Sequence, residues 1–261
     1  MPKLKKNLEP YEQLKQQMQC NMERISRVEE VICLDVSRSE HQMPGVDSEE
    51  LRNVLRTYAL FNPEVEYCQG MNYVAGLLLM VYKDPEVAFL CLINIVGRFG
   101  IAALFDQEFP RLKQYFYILD RLIGLKDANL RDHFKEEGVT TTLFASAWFI
   151  TMFTNTLKEN AQNGVVNETL LQVWDYFLLS GWRGLQKIAV YIITSHSQIL
   201  AQMPFEDILP HIPDCAQAVL MQKRSNLLYK EIKKEFYGLQ FSYWLKKLAA
   251  EFEESHREVK K

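Results

Sequence analysis

The sequence predicts an all-α protein. Apolar residues recur at helical spacing through most of its 261 residues, and no segment alternates apolar and polar with period 2. The Asn-Gly pair in "QNGVVN" at 162–167, a common hairpin signal, lies between two helical patterns, not between alternating runs. Hydrophobic residues at 48% and charged residues at 24% describe an ordinary water-exposed globular chain. At this length a core can form without disulfides or a metal.

The elements follow in chain order. Asp47 with Glu50 reads as a capping box. Leu51, Val54, Leu55, Tyr58 and Phe61 then repeat at helical spacing until Asn62-Pro63 stops the helix. Gly70 allows a tight turn before a buried helix containing Leu77 to Met80. Asp84 caps the next helix, with Pro85 at its first position. Pro110 opens another, striped by Leu112, Tyr115, Phe116, Leu119, Leu122 and Ile123. "DANLRDHFKEE" is a polar helix ended by Gly138. "TTLFASAWFITMFTNTL" and "NETLLQVWDYFLLSG" follow as helices, the second closed by Gly181. A long segment from about 185 to 203 leads to a turn at "MPFEDILPHIPD", and two or three helices complete the chain. The charged stretch from Glu251 reads as a solvated helix end, and a boundary is expected near 136–139.

Several function classes find no support. The net charge of −3 and pI near 6.0 leave no global footprint for nucleic acid. The five cysteines are odd in number and scattered, which is neither a disulfide framework nor a zinc pattern. Histidines form no H-x-x-x-H pair, so no metal site is expected. Neither G-x-x-x-x-G-K-[ST] nor G-x-G-x-x-G occurs. "MPKLKKNLEPYEQL" lacks the apolar core of a secretory signal, and 67–82 and 87–97 are too short to span a bilayer. The expectation is a cytoplasmic protein with reduced thiols.

Two stretches stand out. In "VICLDVSR" at 31–38, Ile32, Asp35 and Arg38 recur every three residues, so a helix would set Asp35 beside Arg38 as a local ion pair. In "YCQGMN" at 67–72, Gln69 stands at the mouth of an apolar run, where it either caps locally or serves a partner. Arg and Gln exchange no proton near neutral pH, so joint chemistry would be electrostatic and positional. Hydrolysis of GTP needs both: spreading negative charge neutralised and a water oriented.

"ICLDVSR" and "YCQGMN" resemble the IxxDxxR and YxQ signatures of TBC domains, the GTPase-activating domains that act on Rab-type small GTPases. "FASAWFITMFTNTL" and "LLQVWDYFLLSG" are similar to later helices of that family, and the resemblance runs from about 11 to 240. It implies a two-lobed helical domain: an N-terminal lobe over 1–137 carrying both motifs, a C-terminal lobe over 138–250, and a charged tail at 251–261. It implies that Arg38 acts as an arginine finger and Gln69 as a glutamine finger, supplied in trans to speed GTP hydrolysis and so regulate vesicle trafficking. Asp35 and Tyr67 would hold the fingers, Asn72 would anchor the loop and Ile32 would pack behind Arg38. Trp148 and Trp174 read as core aromatics. The implied partner is a GTP-bound Rab that carries the GTP and Mg²⁺ itself. This chain then needs no cofactor and meets membranes only through that partner; "REVKK" and Pro2 offer no lipidation motif.

The sequence departs from the family pattern in three places. Ser39 follows Arg38 where Thr is more usual, Glu66 precedes Tyr67 where Gly is usual, and no RG-x-x-W segment precedes "YEQLKQQM". The last two motivate an alternative reading, a Rab-binding scaffold or effector with weak or no catalysis.

Overall fold

A computed structural model describes residues 11–20, 22–105, 108–156, 161–162, 165–220 and 227–258. Fourteen α-helices make up most of them, as the periodicity predicts. The residues divide into two compact units: 1–105 with 159–166, and 106–158 with 167–261.

The first unit holds α1 (Tyr11–Cys20), α2 (Met22–Ser39), α3 (Ser48–Phe61), α4 (Met71–Tyr82) and α5 (Pro85–Phe99). The N-cap half of the expected α3 capping box forms: the Asp47 carboxylate accepts from the backbone N–H of Glu49 and Glu50, each at 2.9 Å. Asp84 caps α5 in the same way, with Pro85 in the first turn. The helix α4 is apolar all round because it is enclosed all round: Met71, Asn72 and every residue from Val74 to Met80 are buried. It packs on α2, α3 and α5. At Gly76 an added Cβ would lie 1.8 Å from Met43 Sδ, so glycine there makes room for the Met43 side chain. Arg56 on α3 pairs with Glu29 on α2 and with Glu49 at 2.6 Å, pinning the two helices at their half-buried edge.

The same unit includes a two-residue antiparallel pairing, β1 (Ala161–Gln162) with β2 (Val165–Val166). This corrects the expectation that the Asn-Gly pair marks no hairpin. Asn163 and Gly164 themselves lie outside the described residues.

The second unit holds α6 (Pro110–Lys126), α7 (Ala128–Glu136), α8 (Thr141–Ile150), α9 (Glu168–Ser180), α10 (Trp182–Thr194), α11 (Ser197–Leu200), α12 (Phe205–Leu220), α13 (Leu227–Glu235) and α14 (Phe241–Glu258). Its centre is α10, buried along Gly184 to Ile193 except Lys187 and Tyr191, and packed on α6, α8, α9, α12 and α13. Rings fill the space around it: Tyr115 lies 4.9 Å from Trp182 and 5.9 Å from Phe149. Trp148 and Trp174 are buried, as expected of core aromatics, and Trp174 Nε1 donates to Thr154 Oγ1 at 3.0 Å.

Three sequence expectations are corrected here. The boundary near 136–139 falls inside the second unit, because α7 packs on α6 and Arg131 pairs with Asp120 at 2.9 Å; the division lies at 105–106. The helix at "TTLFASAWFITMFTNTL" stops at Ile150. Met152 and Phe153 take left-handed backbone, with φ of 49° and 65°, and both are fully buried. Phe153 stacks on Trp148 at 5.3 Å, and burying two large side chains outweighs a left-handed cost of about 1–2 kcal/mol each. From Phe205 on, the expected turn at 203–214 is the first part of α12, which runs through Pro210 and Pro213. Its stripe of Ile208, Ile212, Cys215, Ala216 and Val219 packs on α8 and α10, and that burial holds the helix despite the missing N–H groups. The stretch from Glu251 belongs to α14, and Phe252 within it is buried against Tyr117.

Candidate functional site

The residues singled out in the two stretches meet where the end of α2 faces the start of α4. Ile32, Asp35, Val36 and Ser39 are buried along one face of α2, a helical repeat aimed into the first unit. Arg38 precedes Ser39 and is turned about 100° from it, which puts the guanidinium outside. Ile32, nearly two turns before Ser39 on the same face, is fully buried.

The approach to α4 is tight. Glu66 has left-handed backbone, with φ of 52°, and its N–H donates to the Asn62 carbonyl at 2.7 Å. Gly70 has φ of 102° and precedes the helix; the Met71 N–H reaches back to the Cys68 carbonyl at 3.0 Å. A side chain at position 70 would be strained in that conformation. The turn leaves Gln69 exposed between a buried Tyr67 and a buried Asn72.

Four polar side chains join the two segments. Tyr67 Oη donates to Asp35 Oδ2 at 2.7 Å. Asn72 Nδ2 donates to the Asp35 carbonyl at 3.1 Å and to Ser39 Oγ at 2.9 Å. Ser39 Oγ donates back to the Asp35 carbonyl at 2.8 Å, with the Val36 carbonyl at 3.1 Å. Asn72 Oδ1 stands 3.4 Å from the Tyr67 hydroxyl, whose proton is already directed to Asp35. All four are at least nine-tenths buried, so each bond replaces water that cannot reach it. Burial pushes the Tyr67 hydroxyl pKa far up, and the hydrogen bond and charge of Asp35 push it the same way. The phenol therefore stays a neutral donor.

The structure thus brings Asp35, Tyr67 and Asn72 together and leaves Arg38 and Gln69 at the surface. Asp35 bonds to Tyr67 and not to Arg38, so the local ion pair expected from their spacing does not form. Among the described residues, neither Arg38 nor Gln69 has a hydrogen-bond or ion-pair partner. Ser39 is the member that spacing alone does not single out. Beyond its place where Thr is more usual, its sequence signal is a small hydroxyl residue four positions after Asp35, where it can bond back to that carbonyl.

Other chemistries gain nothing from the geometry. Burial, reinforced by Glu66, pushes the Cys68 thiol up to about 11, so it is protonated at neutral pH. Ring nitrogens of His133 and His196 lie 2.9 and 3.0 Å from backbone carbonyls. Among the described residues no group of three or more His, Cys, Asp or Glu side chains could hold a metal ion, and no helix is long and apolar enough to cross a membrane.

Known proteins are similar to this chain in sequence and in fold. The chain is 31% identical over 190 residues to the GTPase-activating protein GYP5 of Eremothecium gossypii, covering 72% of this chain and 22% of that protein. It is 30% identical over 203 residues to growth hormone-regulated TBC protein 1 of Xenopus tropicalis, covering 77% of this chain and 52% of the relative. The chain therefore spans only about a fifth to a half of the length of these relatives. In fold it is similar to the flagellar RabGAP TBC domain of Chlamydomonas, with a TM-score of 0.68, 19% identity, and 90% of this chain and 74% of that one covered. It is likewise similar to the Ypt/Rab-GAP domain of Gyp1p, with a TM-score of 0.60 and 17% identity, over 90% of this chain and 81% of that one. The Rab-GTPase-TBC domain family matches residues 2–201, most of the chain and the whole of the α2–α4 junction, and the chain belongs to that family.

Proposed function

We propose that this chain accelerates GTP hydrolysis by a GTP-bound Rab-type small GTPase, supplying Arg38 and Gln69 in trans. The observation that carries this is the contrast at the α2–α4 junction: the neighbours of Arg38 and Gln69 are buried and interlocked, while these two are exposed and have no side-chain partner among the described residues. A rigid frame around two free polar side chains suits action on a second molecule.

In this reading water attacks the γ-phosphorus as the bond to the β–γ bridging oxygen breaks, giving GDP and inorganic phosphate. The GTP and Mg²⁺ belong to the partner. Arg38 neutralises charge building on the phosphate oxygens, and its planar fork can bind two of them side by side, a geometry that the compact ammonium of a lysine does not offer. The Gln69 amide accepts from the attacking water with its carbonyl and donates through its N–H groups, fixing the line of attack. Asp35, Tyr67 and Asn72 hold the backbone from which both side chains extend. Regulation of vesicle trafficking follows from this activity, with the chain in the cytoplasm and at endomembranes only through its partner.

Single-turnover GTP hydrolysis over a panel of purified Rab proteins tests the proposal. One or a few Rabs are expected to respond. Arg38→Ala should lose about 10³–10⁵ in rate. Gln69→Ala should lose most of the gain, and both variants should keep wild-type circular dichroism. A scaffold without catalysis is the second reading, favoured by the carboxylate of Glu66 beside Tyr67, which would oppose a phosphate-rich surface. Stable binding of a GTP-loaded Rab with no rate change in any panel member would establish the scaffold instead.

A further inference from the structure

We propose that Ser39 is a positioning residue that sets the register between Arg38 and Gln69. The inference rests on the proposed GTPase-activating function and adds a residue to it.

The two side chains come from different helices, and 30 residues separate them in sequence. Their relative placement must be fixed by something that crosses from α2 to α4 close to both. The crossing nearest to Arg38 is the Asn72 Nδ2 to Ser39 Oγ bond at 2.9 Å. Ser39 is the residue next to Arg38, and Asn72 lies three residues after Gln69, in the first turn of α4. The path from one side chain to the other is thus one peptide unit, one hydrogen bond and the three-residue step from Asn72 back through the Gly70 turn.

The hydroxyl of Ser39 is suited to this by its chemistry. It is fully buried, so no water substitutes for its partners. It accepts from Asn72 and directs its own proton to the Asp35 carbonyl at 2.8 Å, which uses both capacities of one small group. The back-bond ties the Ser39 hydroxyl to its own helix while Asn72 ties it to α4, so α2 and α4 cannot slide past each other without breaking the bond from Asn72. It also lies where α2 gives way to the tighter turn at Glu40–Gln42, so the hydroxyl holds the last helical turn on which Arg38 stands. The Tyr67–Asp35 bond acts one turn earlier and fixes the other side of the junction.

Removing the hydroxyl leaves one Asn72 N–H buried without a partner and frees the last turn of α2. The surface that meets the GTPase is otherwise unchanged, so binding should persist while the alignment of Arg38 with the transferring phosphate is lost. Misplacement of about 1 Å can cost ~10²-fold in rate. Threonine keeps the hydroxyl and should keep the register.

The test uses the whole chain and a GTP-loaded Rab that the wild type accelerates, with rates taken across a range of activator concentrations to separate kcat from KM. Wild type, Ser39→Ala, Ser39→Thr and Arg38→Lys are compared, together with Arg38→Lys combined with Ser39→Ala. Ser39→Ala is expected to lower kcat by ~10²-fold with KM within about twofold of wild type. Ser39→Thr should restore most of kcat. On the Arg38→Lys background Ser39→Ala should cost much less, because the residue acts through the arginine. If Ser39→Ala does not melt cooperatively, Ser39→Cys takes its place, since it keeps the volume and weakens the acceptor. A folded Ser39→Ala or Ser39→Cys with wild-type kcat overturns the proposal. So does a loss confined to KM, or an equal loss on both arginine and lysine backgrounds. A wild type that accelerates no Rab overturns the function itself and is distinguishable from these outcomes.

Discussion

At the scale of single residues, the site depends on which polar groups are denied water. Tyr67 and Asp35 share one hydrogen bond, and both are buried. Tyr67→Phe removes the donor and leaves an acceptor of Asp35 without it, at a cost of about 1–3 kcal/mol. Urea titration of the purified variant should show that loss as a lower midpoint with an unchanged slope; an unchanged midpoint would mean that the bond adds nothing to stability. Glu66 belongs to this scale as well: a non-glycine residue at φ of 52° carries backbone strain three residues before Gln69. Asp35, Tyr67 and Asn72 were legible in sequence through a family resemblance. Ser39 was visible as a substitution for a more usual threonine and as a small hydroxyl residue four positions after Asp35, neither of which gives its partner, because its role depends on an amide 33 residues away.

At the scale of elements, short-range chemistry is read accurately and long-range packing is not. The Asp47 and Asp84 caps, the Asn62-Pro63 stop and the Pro110 start all depend on neighbours within four residues, and all four stand where expected. Asp84→Ala should cost about 1 kcal/mol, since the two N–H groups it accepts from lose their partner. Differential scanning calorimetry reads the change, and no loss would show that water replaces the carboxylate fully. By contrast, α12 runs through two prolines and α8 stops at Ile150 within an apolar helical pattern. The first outcome is set by partners distant in sequence, the faces of α8 and α10. The second is set by the burial of Met152 and Phe153, the latter stacked on Trp148 five residues back, a gain the helical pattern of the sequence does not show.

At the scale of the whole molecule, pH limits stability from both sides. The Arg56 hydrogen bond to Glu29 holds that carboxyl below its ordinary range. Its contribution is present above the unfolded pKa of about 4.3 and is lost as pH falls through the lower folded value. Burial raises Tyr11 to about 12, so its contribution is present below about pH 10 and is lost as pH rises toward that value. Thermal melts across pH should therefore show a plateau between these limits. Arg56→Ala should weaken the acid shoulder, and Tyr11→Phe the alkaline one; identical profiles for the variants and wild type would remove these two groups as the cause.

What the sequence by itself determined is the helical class, most helix starts and stops, the buried character of α4, and the two short stretches from which a function could be argued. These are written in spacing and capping, which act over a turn or two of chain. The tertiary structure alone decided that the division falls at 105–106, that a small pairing at 161–166 joins the first unit, and that Asp35 bonds to Tyr67 in place of Arg38. It also brought Ser39 to Asn72. Each of these is a choice among partners far apart in sequence. Such choices are settled by which groups burial leaves without water, and that is known only once the helices have packed.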